Sequence, residues 1–217
     1  MPNASGAPRV TGRYLIPMPL TIARTFRAAA VLIAVALARP AAAQPPPRTN
    51  PADVRFMQGM IHHHAQAILM AGLIPARTTR DAMKLIGERI DVAQRDEIAT
   101  MSQWLAAHHE PVPSTDHEMA DMPGMAMAAD STTMMPGMAT PAQLDSLRAA
   151  RGTAFDRLFL TYMIRHHEGA LKMVADLFAA NGAGQDSDVF RMASDIDVDQ
   201  RAEIARMQQL LATLPAR

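Results

Sequence analysis

The chain carries one helical hairpin written twice, and that duplication limits its fold more than any other feature. Phe56-Met57-Gln58-Gly59-Met60-Ile61-His62-His63-His64-Ala65 parallels Phe159-Leu160-Thr161-Tyr162-Met163-Ile164-Arg165-His166-His167-Glu168, and Ala67 and Met70 then match Ala170 and Met173. Farther on, Ile90 to Leu105 parallels Ile196 to Leu211, with 11 of 16 positions identical. No stretch alternates apolar and polar residues as a strand would. A single hairpin cannot bury its own apolar stripe, whereas two facing copies can. The expected fold is therefore all-α, a four-helix bundle built from two repeated hairpins. Only nine of the 217 residues are aromatic, so its core must rely on aliphatic and methionine packing.

Punctuation along the chain sets the helix limits. Asn50-Pro51-Ala52-Asp53 supplies an N-cap, a proline at the first helical position and an acid in the first turn. Thr140-Pro141-Ala142-Gln143 repeats the device, with Gln143 able to close a capping box. Thr78 to Asp81 and Asp186 to Asp188 are further starts. Stops fall at Gly72 to Pro75, Glu110 to Pro113, Asn181-Gly182 and Leu214-Pro215. These signals predict helices over about 51–73, 79–109, 141–180 and 187–213, with 110–139 a long, flexible connection.

The N-terminus indicates where such a domain would work. Residues 24–43 read RTFRAAAVLIAVALARPAAA: Arg24 and Arg27, then an apolar run from Ala28 to Ala38, then small residues at Ala41 to Ala43. This is the pattern of a secretory signal peptide. The run is short for a membrane span, although a retained N-terminal anchor is the rival reading. Met18 is a plausible alternative start. Residues 1–43 read as signal, 44–50 as a Pro-rich lead-in, and 51–214 as the domain. Removing 1–43 takes away five arginines and no acid, leaving 16 Lys+Arg against 21 Asp+Glu. An exported acidic chain gives no sign of a nucleic-acid partner. A periplasmic or secreted protein, with no membrane association after cleavage, is expected. There is no cysteine, which excludes disulfides, iron–sulfur clusters and thiolate metal sites.

Chemistry concentrates in M-I-x-H-H, which occurs twice: Met60, His63, His64 and Met163, His166, His167. At about 100° per residue, positions i, i+3 and i+4 share one helix face. A thioether beside two imidazoles suits copper, above all Cu(I), and by extension Ag(I). Methionine at helical spacing is ordinarily core, and a lone buried histidine is ordinarily a satisfied one. Two adjacent pairs in both copies are harder to explain that way, because each buried imidazole needs a partner. His62 has no counterpart, since Arg165 takes its place, and it is the less compelling candidate. The second helices carry Asp91, Gln94, Glu97 and Met101, matched by Asp197, Gln200, Glu203 and Met207. The glutamates could ligate metal, orient the imidazoles, or simply be solvated surface charge. Met101 and Met207 could be core or further thioether ligands.

The connection adds a second signal. Seven methionines fall between Met119 and Met138. Strict M-x-x-M occurs at Met119/Met122, Met122/Met125 and Met135/Met138, and Met-Pro-Gly-Met occurs at 122–125 and 135–138. Proline and glycine keep such a segment open, and its thioethers, with His117 upstream, could wrap a soft monovalent ion. A biased low-complexity linker, or an oxidisable antioxidant segment, is the alternative. No catalytic motif is present: no Glu-x-x-His, no H-E-x-x-H, no G-x-S-x-G and no P-loop.

The two M-I-x-H-H helices, each followed by an E-I-x-x-M helix, resemble the DUF305 family over roughly Asn50 to Leu214. That resemblance implies a ferritin-like four-helix domain in an exported copper-binding protein of metal resistance. It implies ligands at Met60, His63, His64, Met163, His166 and His167, with Met101 and Met207 as further candidates. The expected function is copper sequestration or transfer through Met/His sites, with a copper-transfer protein as the expected partner. The rivals are a ferritin-like metallo-oxidase and a metal-free envelope protein that docks a partner.

Overall fold

The computed structural model describes residues 49–115 and 135–215. Among these residues every regular element is helical. The order is α1 (Pro51–Ala71), α2 (Ile74–Arg77), α3 (Asp81–Ala107), α4 (Pro141–Ala149), α5 (Gly152–Ala179) and α6 (Ser187–Thr213). None of these helices is long and apolar enough to cross a membrane. The signal reading of 1–43 lies outside the described residues.

The caps form largely as their residue types require. Asn50 accepts the Ala52 amide at 2.8 Å, with Pro51 opening α1. Thr140 and Gln143 make a reciprocal capping box on α4. Asp186 caps α6 through the Asp188 and Val189 amides and also accepts the Trp104 indole N–H at 3.3 Å. One boundary differs from expectation. The helix expected over 141–180 is broken, because Ala150 and Arg151 are extended and Gly152 has φ +57°. That left-handed backbone is a conformation glycine reaches without a side-chain clash. The first helix likewise closes at Ala71, and Ile74–Arg77 forms a separate turn.

The long helices pack as two hairpins, α1 on α3 and α5 on α6, joined chiefly by α1 against α5 and less extensively by α3 against α6. Buried apolar residues form two clusters. One holds Ala67 and Met70 of α1 with Phe155, Phe159, Leu160 and Met163 of α5. The other holds Phe56, Met57, Met60 and Ile61 of α1 with Ala170, Val174 and Leu177 of α5. The early part of each helix thus meets the late part of the other, so α1 and α5 run antiparallel. Fully burying each large side chain contributes about 1.5–3 kcal/mol. Between the clusters lies a polar layer at residues 63–66 and 166–167.

The connection is not open throughout. Residues 135–139 form a strap across α1 and α5. Gln66 grips it from α1, donating to the Ala139 carbonyl at 3.0 Å and accepting the Ala139 amide at 2.7 Å. Arg165 donates from α5 to the Met138 carbonyl at 3.3 Å and to Gln143 at 2.7 Å. Gly169 permits the approach, since a Cβ there would stand 2.0 Å from the Pro136 carbonyl oxygen. Flexibility expected over the whole of 110–139 is therefore corrected at its last five residues: a side-chain amide and a guanidinium satisfy the strap's backbone. At the other end of the connection, Gln58 donates to the Pro111 carbonyl at 2.8 Å.

Candidate metal centre

His63, His64, His166 and His167 all lie in the polar layer, and none has measurable solvent exposure. The repeat explains their convergence. Each pair sits midway along the first helix of its hairpin, and antiparallel packing of α1 on α5 brings the midpoints together. The His63 and His166 rings stand 3.8 Å apart between centroids, tilted by 36°. His64 lies 6.4 Å from His63, and His167 lies 6.2 Å from His166.

The outer ring of each pair faces a glutamate, and only His167 meets its partner in hydrogen-bond geometry. His64 Nε2 lies 2.5 Å from Glu97 Oε2, and His167 Nε2 lies 2.5 Å from Glu203 Oε2. Of the roles open to the glutamates, the geometry supports orienting the imidazoles. A carboxylate facing Nε2 turns Nδ1 toward the interior of the layer. His63 Nε2 pairs with the Pro136 carbonyl at 3.0 Å, which requires Nε2–H and bares Nδ1. His166 has no partner within bonding geometry at either nitrogen. All four Nδ1 atoms are buried without a hydrogen-bond partner. Leaving such groups unsatisfied costs about 1–3 kcal/mol each, so this layer is built for something other than stability.

Charge is disfavoured at the centre. Burial, reinforced by the neighbouring His64 and His167, lowers the His63 pKa to about 3 despite its bond to Pro136. His166 is likewise pushed well below the ordinary histidine value, first by burial and then by His63, His167 and His64. Both are thus neutral near pH 7, the form that ligates metal.

The thioethers flank the imidazoles. Met60 and Met101 belong to one apolar cluster, Met163 and Met207 to the other, and all four are fully buried. Each M-I-x-H-H methionine precedes its histidine pair by about one turn, so the buried layer carries soft sulfur on either side. Among the described residues, no three His, Asp or Glu side chains group as a preformed site of nitrogen and oxygen donors alone.

Sequence reading gave no role to some residues that the structure buries. Gln94 and Gln200, equivalent in the repeat, are buried with unpartnered amide atoms three residues before the glutamates. Their shared burial was readable only as part of the repeat. The Pro136 carbonyl carries no side-chain signal at all. Asp199 sits near Glu97 and Glu203, and its pKa is raised by burial and then by those two charges. Met138 is buried in the strap, and Met135 is half-buried at its start. His117, Met119, Met122 and Met125 lie outside the described residues. His108 stacks on Trp104 at 4.2 Å and closes the end of α3, away from the four histidines.

The DUF305 family, described as a domain of unknown function, matches residues 53–211. This chain is a DUF305 protein. DUF305 proteins of known structure share its fold. A DUF305 fragment from Deinococcus radiodurans is 29% identical, with a TM-score of 0.64, covering 77% of this chain and all of that one. A DUF305 protein from Streptomyces coelicolor is 28% identical, with a TM-score of 0.62, covering 76% and 95%. CopM in its Cu(I)-bound form is 27% identical, with a TM-score of 0.56, covering 76% and 98%. CopM has also been solved with Cu(II) and with silver. No protein of curated function matches the sequence.

Proposed function

We propose that this DUF305 protein is an exported copper-binding protein that sequesters Cu(I) or passes it on. In this reading it is a ferritin-like four-helix bundle whose principal site lies in the buried histidine layer. The observation that carries the reading is the set of four buried imidazoles whose Nδ1 atoms all lack partners. A metal ion would satisfy several of those lone pairs at once, which nothing among the surrounding apolar side chains can do. Met60 and Met163 would add thioether sulfur, with Met101 and Met207 as further donors. That donor set favours Cu(I) and tolerates Ag(I). Likeness to CopM, which takes Cu(I), Cu(II) and silver, supports the same ion class here.

Export is supported by the signal-like pattern at 24–43. Binding rather than turnover is the role proposed, and a copper-transfer protein is a natural recipient. Met119, Met122, Met125 and His117 would act in capture, as soft donors closely spaced along the chain. A Cu(I) competition titration tests the site. Replacing His63 and His166 by leucine should weaken binding by about a hundredfold or more, since loss of outer partners alone costs ten- to a hundredfold. Unchanged affinity in that variant, with helicity retained, would refute the buried site. A variant lacking 116–134, which keeps Pro136 and the strap, should retain tight binding, because the histidines lie in the helices.

A further inference from the structure

A second group of soft donors gathers outside the histidine layer. Gly59 stands where the other copy has Tyr162. The missing side chain leaves a notch on α1, and two thioethers meet over it. A Cβ placed on Gly59 would lie 3.4 Å from Met173 Cε and 3.7 Å from Met135 Sδ. Met173 comes from α5 and Met135 from the strap, so only the docked strap brings the two together. Both are partly exposed, whereas Met60, Met70 and Met163 are wholly buried. His62 lies three residues beyond Gly59, about 60° round the helix. Helical side chains lean toward the N-terminus, which carries its ring over the turn that contains Gly59. His62 is half-buried, and no hydrogen bond or ion pair engages its ring.

We propose that Met135, Met173 and His62 form a second, solvent-accessible soft-metal site, able to take a monovalent ion such as Cu(I) or Ag(I). Two thioethers and an imidazole are the donors such an ion selects. Packing alone would explain one methionine over the notch. It does not explain two partly exposed sulfur side chains beside an unpartnered imidazole. The placement also explains a departure from the repeat: His62 and Gly59 replace Arg165 and Tyr162 on the helix that faces Met135. The site rests on the soft-metal reading above and would stand at the surface, where an ion arrives before it reaches the buried layer.

Silver titration of protein labelled with carbon-13 in its methionine methyls tests this by NMR. The expected result is that the Met135 and Met173 methyl signals shift together, in a step separate from Met60 and Met163. Replacing Met135 and Met173 by leucine should remove that step and about one equivalent of bound silver, leaving the Met60 and Met163 response. His62→Ala should weaken the same step by about tenfold. Stationary Met135 and Met173 signals beside a responsive Met60 and Met163 would overturn this site alone. Silence from all four would overturn both this site and the copper reading. The wild-type spectra decide the matter even where a variant fails to fold.

Discussion

Acid should destabilise the metal-free protein well before its carboxylates are protonated. In the unfolded chain each histidine takes a proton near pH 6.5. In the folded protein His63 waits until about pH 3, and His166 is also pushed far down. Below pH 6.5 the unfolded state therefore binds more protons, and stability falls with pH. Stability from these two residues is fully present above pH 6.5 and is lost progressively down toward pH 3. Between pH 7 and pH 5 His63 alone contributes a loss of about 2 kcal/mol, and His166 adds a loss of the same sign. That is an appreciable part of the 5–15 kcal/mol typical of a domain. Asp53 and Asp199, whose carboxyl pKa values are raised mainly by burial, act in the opposite sense, from the ordinary unfolded carboxyl value near pH 4 up to their raised folded values. Urea denaturation of metal-free protein measures the effect. With a slope of about 2 kcal/mol per molar, the midpoint should drop by about 1 M or more between pH 7 and pH 5. The double replacement of His63 and His166 by leucine should abolish most of that drop. A wild-type midpoint unmoved over this range would refute the claim that both rings are buried and neutral.

Two further outcomes follow from the geometry. Glu97→Gln with Glu203→Gln should lower copper affinity by about ten- to a hundredfold while leaving the far-ultraviolet circular dichroism unchanged, because the glutamates orient imidazoles; equal affinity in a competition titration would assign them to surface charge. Gly169→Ala should lower thermal stability by about 2 kcal/mol, although alanine ordinarily favours a helix interior, because its Cβ would stand 2.0 Å from the Pro136 oxygen. A melting temperature that rose instead would show that the strap is not seated on α5.

Much of this protein was legible in its residue order. The duplicated M-I-x-H-H and I-D-V segments determined two like hairpins, because spacings of three and four residues place side chains on one face whatever surrounds them. Caps at Asn50 and Thr140 were readable because a side-chain oxygen and the amides it accepts are only a few residues apart. The same locality made His63, His64, His166 and His167 candidates. What the repeat could not reveal was which side chains meet between helices. The Glu97–His64 and Glu203–His167 pairs depend on how α3 and α6 are rotated about their axes, and the 3.8 Å approach of His63 to His166 depends on antiparallel packing of α1 on α5. The strap is the clearest case. Met135 to Ala139 carries the composition of a loose linker, and locally proline and glycine favour an open chain. Its seat is made by Gln66, Arg165 and Gly169, residues 27 to 73 positions away from the backbone they hold or admit. Periodicity records what one helix offers. Only the packed chain decides which backbone carbonyl covers His63, and which imidazole nitrogens are left without partners.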